Sequence, residues 1–297
     1  MSLSLKVMIN QEKTKVLFAE ANSDFINVLL SFLTIPLGKL VTVLQKHNES
    51  AAIGSLTTLY KGLSELDSAH FSTLGAKEML LNPRSSFRAE CRKLGLMLLA
   101  SGCCNTSSVK TETQGAEMKS LSLGFHEILE LLKLSLTSAT PLTDMILQKN
   151  TVENIQSGIR FNHIHQADAA TESNKIVLRA FLHKSTNKFL FAEASDELVE
   201  LLLSFLTLPL GGVVFLLGSN APFKCINNLY RSVYGIDDMY FSTSETKNRL
   251  INPKLPHGYL FKNQQLLPLS EEDLIKPKTT SADGGIKPNL KEPKTER

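Results

Sequence analysis

At 297 residues, with a net charge of +3 and an apolar fraction of 42%, the chain is long enough for two domains and too apolar to be disordered over most of its length. The excess positive charge lies in residues 276–297, and the rest of the chain is balanced between acidic and basic residues. A balanced body lacks the basic field that non-specific binding of nucleic acid needs, so the composition gives no strong nucleic-acid signal.

The four cysteines show neither a C-x-x-C pair nor the density of a disulfide framework, so reduced thiols are expected. They are Cys91, Cys103, Cys104 and Cys225. Residues 1–10 contain no basic segment followed by an uninterrupted apolar stretch, which predicts that there is no secretory signal. Residues 201–217 carry no charge, but Pro209 interrupts them and predicts two buried helices rather than a membrane span. A cytoplasmic or nuclear location is therefore predicted.

In chain order, the first element predicted is a β-hairpin. Leu5, Val7 and Ile9 alternate with other residues, residues 11–15 form a polar turn, and residues 16–19 return as the second strand. The hairpin leads into a series of helices.

The first helix is indicated by apolar residues at spacings of three and four, with Ser23 or Asp24 available as its N-cap. The apolar residues are Phe25, Val28, Leu29, Phe32 and Leu33. Pro36 ends this helix and suits the first turn of the next one, because its fixed φ fits a helix start. A third helix is predicted around residues 55–66.

The strongest pattern in the sequence is an internal duplication. Residues 16–38 align without gaps onto residues 189–211, a shift of 173, with 14 of 23 positions identical. With a shift of 170 the similarity resumes over residues 59–83 and 229–253. The second copy therefore predicts the same hairpin and helices as the first.

Between the copies, one amphipathic helix is predicted over about residues 123–148, flanked by flexible loops. Its sequence resembles that of the long helix at residues 197–207, which leaves two interpretations open: a degenerate third copy of that helix, or an unrelated leucine-rich helix.

The resulting fold class is α+β. It has a first repeat at residues 1–83, a middle segment at 84–176, a second repeat at 177–270 and a disordered tail at 271–297. Each repeat is expected to be a β-hairpin followed by about three helices.

Several of these motifs resemble the plant family called domain of unknown function 674. The matching segments are 17–21 (LFAEA), 31–38 (SFLTIPLG), 59–60 (LY), 131–133 (LLK) and 135–138 (SLTS). The resemblance covers most of residues 5–269, and the family has no established activity, cofactor or catalytic residue. Relatives in this family commonly carry a longer segment after the first repeat, with cysteines spaced as in a metal-binding ribbon. In this chain Cys91 is followed only by Cys103 and Cys104, so no metal site is predicted.

Glu20 and Glu193 occupy matching positions at the ends of the second strands, which makes them weak candidates for a paired-carboxylate catalytic site. The simpler interpretation is that each acid complements the positive end of the following helix. Asp67 and Asp237 also match and are expected to hydrogen-bond their own backbone in turns.

Other candidates have low specificity. His163 and His165 with Asp168 have the residue types of a metal site, but such pairs are usually solvated. Cys103 and Cys104 are adjacent thiols with no nearby group that would lower their pKa. No nucleotide, hydrolase or zinc-protease motif is present, and no cofactor is predicted.

Two functional hypotheses follow. The first is a non-catalytic binding or scaffold protein that acts through contacts with another protein or with itself, because the repeated residues are mostly apolar and turn-forming. The alternative is an enzyme or small-molecule binder with a pseudo-symmetric pocket between the repeats, anchored by Glu20 and Glu193.

Overall fold

The structure, a computed structural model, describes residues 3–47, 53–71, 73–86, 115–148, 178–218, 221–241, 243–259 and 269–272. Within these ranges the strands are β1 Leu3–Ile9, β2 Val16–Ala21, β3 Glu117–Leu123, β4 Leu178–Leu182 and β5 Phe189–Ala194. The α-helices are α1 Ser23–Phe32, α2 Leu37–His47, α3 Gly54–Glu65, α4 Ala76–Leu81, α5 Phe125–Thr137, α6 Pro141–Leu147, α7 Asp196–Ser204, α8 Leu210–Leu217, α9 Lys224–Gly235 and α10 Ser244–Ile251. The predicted α+β class and the duplicated unit are confirmed.

The first hairpin belongs to a three-stranded sheet with the order β2-β1-β3, in which β1 is the central strand. β1 pairs antiparallel with β2 on one side and with β3 on the other, where the register runs from Leu3 opposite Leu123 to Ile9 opposite Glu117. Alternate residues of β1 point to opposite faces, and its apolar face is buried. A strand from the middle segment therefore completes the hairpin of the first repeat.

Helix α1 begins one residue earlier than its predicted caps imply. The Asn22 side chain accepts a hydrogen bond from the backbone N–H of Phe25 at 3.1 Å, so Asn22 is the N-cap and the prediction of Ser23 or Asp24 is corrected. Asparagine is among the best N-cap residues because its short side chain reaches the unpaired amides of the first turn.

Each repeat has four helices rather than about three, because a short helix follows the third. Tyrosine and lysine side chains hold these short helices in the same way in both repeats. The hydroxyl of Tyr60 in α3 donates to the Leu81 carbonyl at 3.1 Å, and the hydroxyl of Tyr230 in α9 donates to the Ile251 carbonyl. Such short helices leave little periodic signal in a sequence.

Matched lysines and aspartates also have structural roles. Lys77 donates to the Leu66 carbonyl and Lys247 to the Ile236 carbonyl, each at 2.6 Å. Asp67 accepts from the Ala69 amide, and Asp237 from the Met239 amide. The prediction that Asp67 and Asp237 bond their own backbone in turns is confirmed.

The uncharged stretch at residues 201–217 consists of the end of α7, a 3-10 turn at Phe205–Thr207, and α8. Pro209 precedes α8, as predicted. Among the described residues, no helix has the length and apolar character needed to cross a membrane.

The middle segment differs from the single helix predicted over residues 123–148. It contains strand β3 and then two helices, because α5 ends at Thr137 and Pro141 starts α6. The order of strand, helix and proline-initiated helix is the same as in β2-α1-α2 and β5-α7-α8. This order favours the interpretation of a degenerate third copy.

The two repeats contact each other at their matching Pro-Leu-Gly segments. Pro36 and Pro209 form an antiparallel bridge, in which the Leu37 amide donates to the Leu208 carbonyl and the Leu210 amide donates to the Ile35 carbonyl, both at 2.9 Å. These two hydrogen bonds are related by exchange of the repeats. A local pseudo-twofold axis therefore passes through this contact.

After α10, Leu255 pairs in parallel with Glu271. The side chain of Arg249 also forms an ion pair with Glu272. The described chain thus extends two residues into the range predicted as a disordered tail, and residues 273–297 lie outside the described residues. The domain boundaries after residues 83 and 176 stay predictions.

Candidate functional site

The candidate site is an apolar groove of about 910 Å³ at which the two repeats meet. One wall is α3 of the first repeat, and the other walls are α7 and α8 of the second. The apolar lining consists of Leu37, Leu56, Leu59, Leu63, Leu66, Val199, Leu202, Leu203, Phe205, Leu208, Val213, Leu216 and Leu217. Ser55, Thr58 and Gly62 complete it, so none of the described lining residues carries a charge.

Several lining side chains are open to solvent. Leu202 is 39% exposed and Leu217 is 46% exposed, although both are aliphatic. Burying a leucine side chain stabilises a protein by about 1.5–3 kcal/mol relative to leaving it exposed. An uncovered groove of this composition is therefore a surface that gains free energy when another apolar surface covers it.

The hairpin of the second repeat, β4-β5, leads directly into α7, and the described part of the chain does not cover it either. Every residue of both strands is exposed, including six large hydrophobic ones. They are Leu178, Phe181, Leu182, Phe189, Leu190 and Phe191. The rings of Phe181 and Phe191 stack on one face at a centroid distance of 4.5 Å. In the described residues β4 pairs only with β5, so its other edge is open.

The pseudo-symmetric counterpart of this position is occupied. There α5 packs against α9 of the second repeat, which corresponds to α3 of the first repeat under the shift of 170. The hydroxyl of Ser135 in α5 donates to the Leu131 carbonyl at 2.7 Å and lies near Cys225 of α9. Burial raises the pKa of the Cys225 thiol, and the nearby Ser135 hydroxyl offsets part of that rise. Cys225 corresponds to Ser55, which is exposed at the edge of the groove.

Glu20 and Glu193 lie on the hairpins, and both side chains are exposed. Glu20 is opposite Lys6 in the β1-β2 pair, and Glu193 is opposite Arg179 in the β4-β5 pair. Opposite residues of an antiparallel pair project to the same face, so each acid is beside a basic residue. Neither carboxylate lines the groove. Their role as catalytic residues stays a prediction.

The remaining candidates can be placed only in part. His163, His165, Asp168, Cys103 and Cys104 lie outside the described residues. Within the described ranges, no three His, Cys, Asp or Glu side chains cluster closely enough to hold a metal ion.

A pocket between the repeats was one of the two hypotheses, but the residues that line the groove were not predicted, because they have the spacing of an ordinary helix core. Leu44 and Leu217 occupy matching positions in α2 and α8, yet Leu44 is 4% exposed and Leu217 is 46% exposed. One feature of the sequence could have indicated the groove. The β3-α5 segment occurs once, whereas the repeat occurs twice, so the two repeats cannot both be covered by a segment of this kind.

These features define an α+β protein of two pseudo-symmetric repeats, with an apolar groove between them that the described residues leave uncovered. The family model described as "Protein of unknown function (DUF674)" matches residues 1–102 and 97–283, so the chain belongs to that family. No curated protein and no solved structure gives a significant match.

Proposed function

We propose that this chain is a non-catalytic binding or scaffold protein that docks another polypeptide in the groove between α3, α7 and α8 and on the β4-β5 hairpin. The observation that carries the proposal is the uncharged lining of the groove, formed by both repeats and open to solvent at Leu202 and Leu217.

Two general modes of peptide recognition suit this surface. An amphipathic helix binds by placing its apolar face in a hydrophobic groove, and an extended segment binds by adding a strand to an open sheet edge. The groove and the open edge of β4 supply one site of each kind. Proteins usually protect such edges, because an open hydrophobic edge promotes aggregation.

Site-specific photo-crosslinking in cells of the source organism tests this function. A photoreactive amino acid at position 217 reports on the groove, and the same group at position 74 is the control, since Leu74 is fully exposed outside the groove. We expect position 217 to give an adduct with a defined protein and position 74 to give none. Leu202→Glu should abolish the adduct, whereas Leu74→Glu should retain it. Identical adducts from both positions, or none from position 217, would contradict the proposal.

A second candidate function is the binding of an apolar small molecule in the same groove. The volume of about 910 Å³ lies within the range of ligand pockets, roughly 300–1,000 Å³. Among the described lining residues, only the hydroxyls of Ser55 and Thr58 could orient a ligand, which favours an alkyl chain over a polar metabolite.

Thermal shift with a series of fatty acids of increasing chain length separates this candidate from protein binding. A ligand that prefers the native state raises the melting temperature in proportion to the logarithm of its concentration. For a small-molecule site we expect the shift to grow with chain length and to disappear in Leu202→Trp, whose larger side chain fills the groove. No shift across the series would eliminate the candidate.

We also propose that the protein acts in the cytoplasm or nucleus. Cysteine usage supports this location, since Cys225 is a free thiol. Imaging of a fluorescent fusion tests it, and accumulation in the secretory pathway would contradict it.

A further inference from the structure

The two repeats differ in one respect that identifies the occupant of the groove. β3 completes the hairpin of the first repeat, and α5 packs against α9 of the second repeat. The described residues supply neither a third strand for β4 nor a counterpart of α5 in the groove bounded by α3, α7 and α8.

Burial at matched positions shows what the first repeat has and the second lacks. Leu5 of β1 is fully buried, whereas its equivalent in β4, Leu178, is 54% exposed. The hairpins are otherwise alike, because Leu5 lies opposite Ala21 as Leu178 lies opposite Ala194, and both hairpins have their register irregularity at the same place. The second repeat is thus built for a cover of the same kind.

We propose that the partner segment is a β-strand followed by a leucine-rich amphipathic helix, with the chemistry of β3-α5. The strand pairs antiparallel with the open edge of β4. The helix lies in the groove with a small residue above Ser55, as Ser135 lies beside Cys225. This inference rests on the proposed function, since it names the partner of that same groove.

We assign the segment to another polypeptide, since neither the described residues nor residues 273–297 supply a free segment of this kind. A second copy of this chain cannot supply it without opening, because its own β3-α5 already completes its first repeat. Residues 273–297 do not have the required pattern, since they contain three prolines and only four large aliphatic residues.

A synthetic peptide of residues 115–148 is the appropriate probe, because it contains β3, α5 and α6 and no cysteine. Fluorescence anisotropy of the labelled peptide with the full chain should show saturable binding at one site per chain. Leu202→Glu in the chain should weaken binding by about tenfold or more, and Leu74→Glu should leave it unchanged. A peptide carrying Leu131→Glu and Leu132→Glu controls for the apolar face of the helix and should not bind.

Disulfide trapping tests the register of the bound helix. In a chain with Ser55→Cys and with Cys91, Cys103 and Cys104 replaced by serine, oxidised glutathione is added as the oxidant. We expect a peptide with Ser135→Cys to become linked to position 55 and a peptide with Thr137→Cys, an exposed position of α5, to be linked far more slowly. Equal rates for the two peptides would overturn the proposed register.

Hydrogen exchange tests the strand. Peptide binding should slow exchange in β4 and α3, while β1 should be unchanged. Slowed exchange confined to β1 and α9 would mean that the peptide only replaces the native β3-α5, and that result overturns the inference. Sedimentation of the chain alone should show a monomer; a dimer lost on Leu202→Glu would show instead that a second copy occupies the groove.

The failure of this inference is distinguishable from failure of the proposed function. If the peptide does not bind but crosslinking from position 217 identifies a protein partner, the groove binds proteins and the partner segment is not a strand and helix of this kind. If neither experiment gives a signal, both proposals fall.

Discussion

Gly211 donates its backbone N–H to the Leu33 carbonyl oxygen at 2.7 Å, and this contact brings helix α8 of one repeat against the end of α1 of the other. A Cβ atom added to Gly211 would lie 3.0 Å from that same oxygen. Gly38 is in the matching situation, with an added Cβ 3.1 Å from the Leu206 carbonyl oxygen. The glycine of each Pro-Leu-Gly segment is therefore required for close approach of the two backbones.

Replacing this glycine should strain the contact between the repeats. We expect Gly211→Ala to lower the free energy of unfolding by about 1–3 kcal/mol, because the new methyl group overpacks a contact between two backbones. Urea denaturation followed by circular dichroism measures the change.

Gly62→Ala is the matched control. Gly62 also lies in a helix, but an added Cβ there meets no atom within 4 Å. Helix propensity alone then decides the result, and we expect a gain of up to about 1 kcal/mol. A Gly211→Ala variant as stable as Gly62→Ala would contradict the close-approach explanation.

The hydroxyls of the matched tyrosines join the third and fourth helices of each repeat. Tyr230→Phe removes the hydrogen bond to the Ile251 carbonyl, and we expect a loss of about 1 kcal/mol in the free energy of unfolding. Tyr60→Phe should cost a similar amount through the Leu81 carbonyl. Tyr234→Phe is the control, because Tyr234 lies on the same helix as Tyr230 and is exposed. Equal melting temperatures for the three variants would contradict this role.

Glu127 gives the middle segment a stability that depends on pH. Hydrogen bonds from its own backbone N–H and from that of Gly124 hold the pKa of the Glu127 carboxyl below its usual value of 4.5. A lowered pKa in the folded state adds stability above the unfolded pKa, and that stability is lost as pH falls through the folded pKa.

We therefore expect Glu127→Gln to lower the melting temperature at pH 7 and to have less effect below pH 4. The difference in melting temperature between wild type and variant is the quantity to measure at each pH, because the other carboxylates titrate equally in both proteins. Glu12→Gln is the control, since Glu12 is exposed in the hairpin turn. A difference that stays constant from pH 7 to pH 3 would show that the carboxylate does not act through its charge.

The elements that the sequence predicted correctly are those with a strong local pattern. The alternation of Leu5, Val7 and Ile9 predicted β1, and Pro36 and Pro209 predicted the helix breaks, because each depends only on neighbouring residues. Strand β3 was missed, since its sequence EMKSLSL has only one buried residue and resembles an exposed loop. Its place in the sheet depends on pairing with β1, more than a hundred residues away.

The lining of the groove could not be predicted from periodicity, for a different reason. An apolar helical face indicates that a side chain suits a covered position, but it does not say whether the chain supplies the cover. Leu44 and Leu217 have the same residue type and the same place in the repeat, yet Leu44 is 4% exposed and Leu217 is 46% exposed. Nonlocal packing of this kind is invisible to periodicity.

The thiol of Cys225 and a cysteine placed at position 55 compare the covered and uncovered sites directly. In a chain with Cys91, Cys103 and Cys104 replaced by serine, we expect Cys225 to react slowly with iodoacetamide, because burial raises the pKa of its thiol and α5 lies beside it. The rate of alkylation of Cys225 should keep rising above pH 9.0, the ordinary pKa of a cysteine thiol. With Cys225→Ser and Ser55→Cys, the thiol lies at the open groove and should react at least about tenfold faster at pH 8. Mass spectrometry of the alkylated chain measures both rates. Equal rates would mean that the groove is as well covered as the position beneath α5, which would remove the physical basis for a docking site.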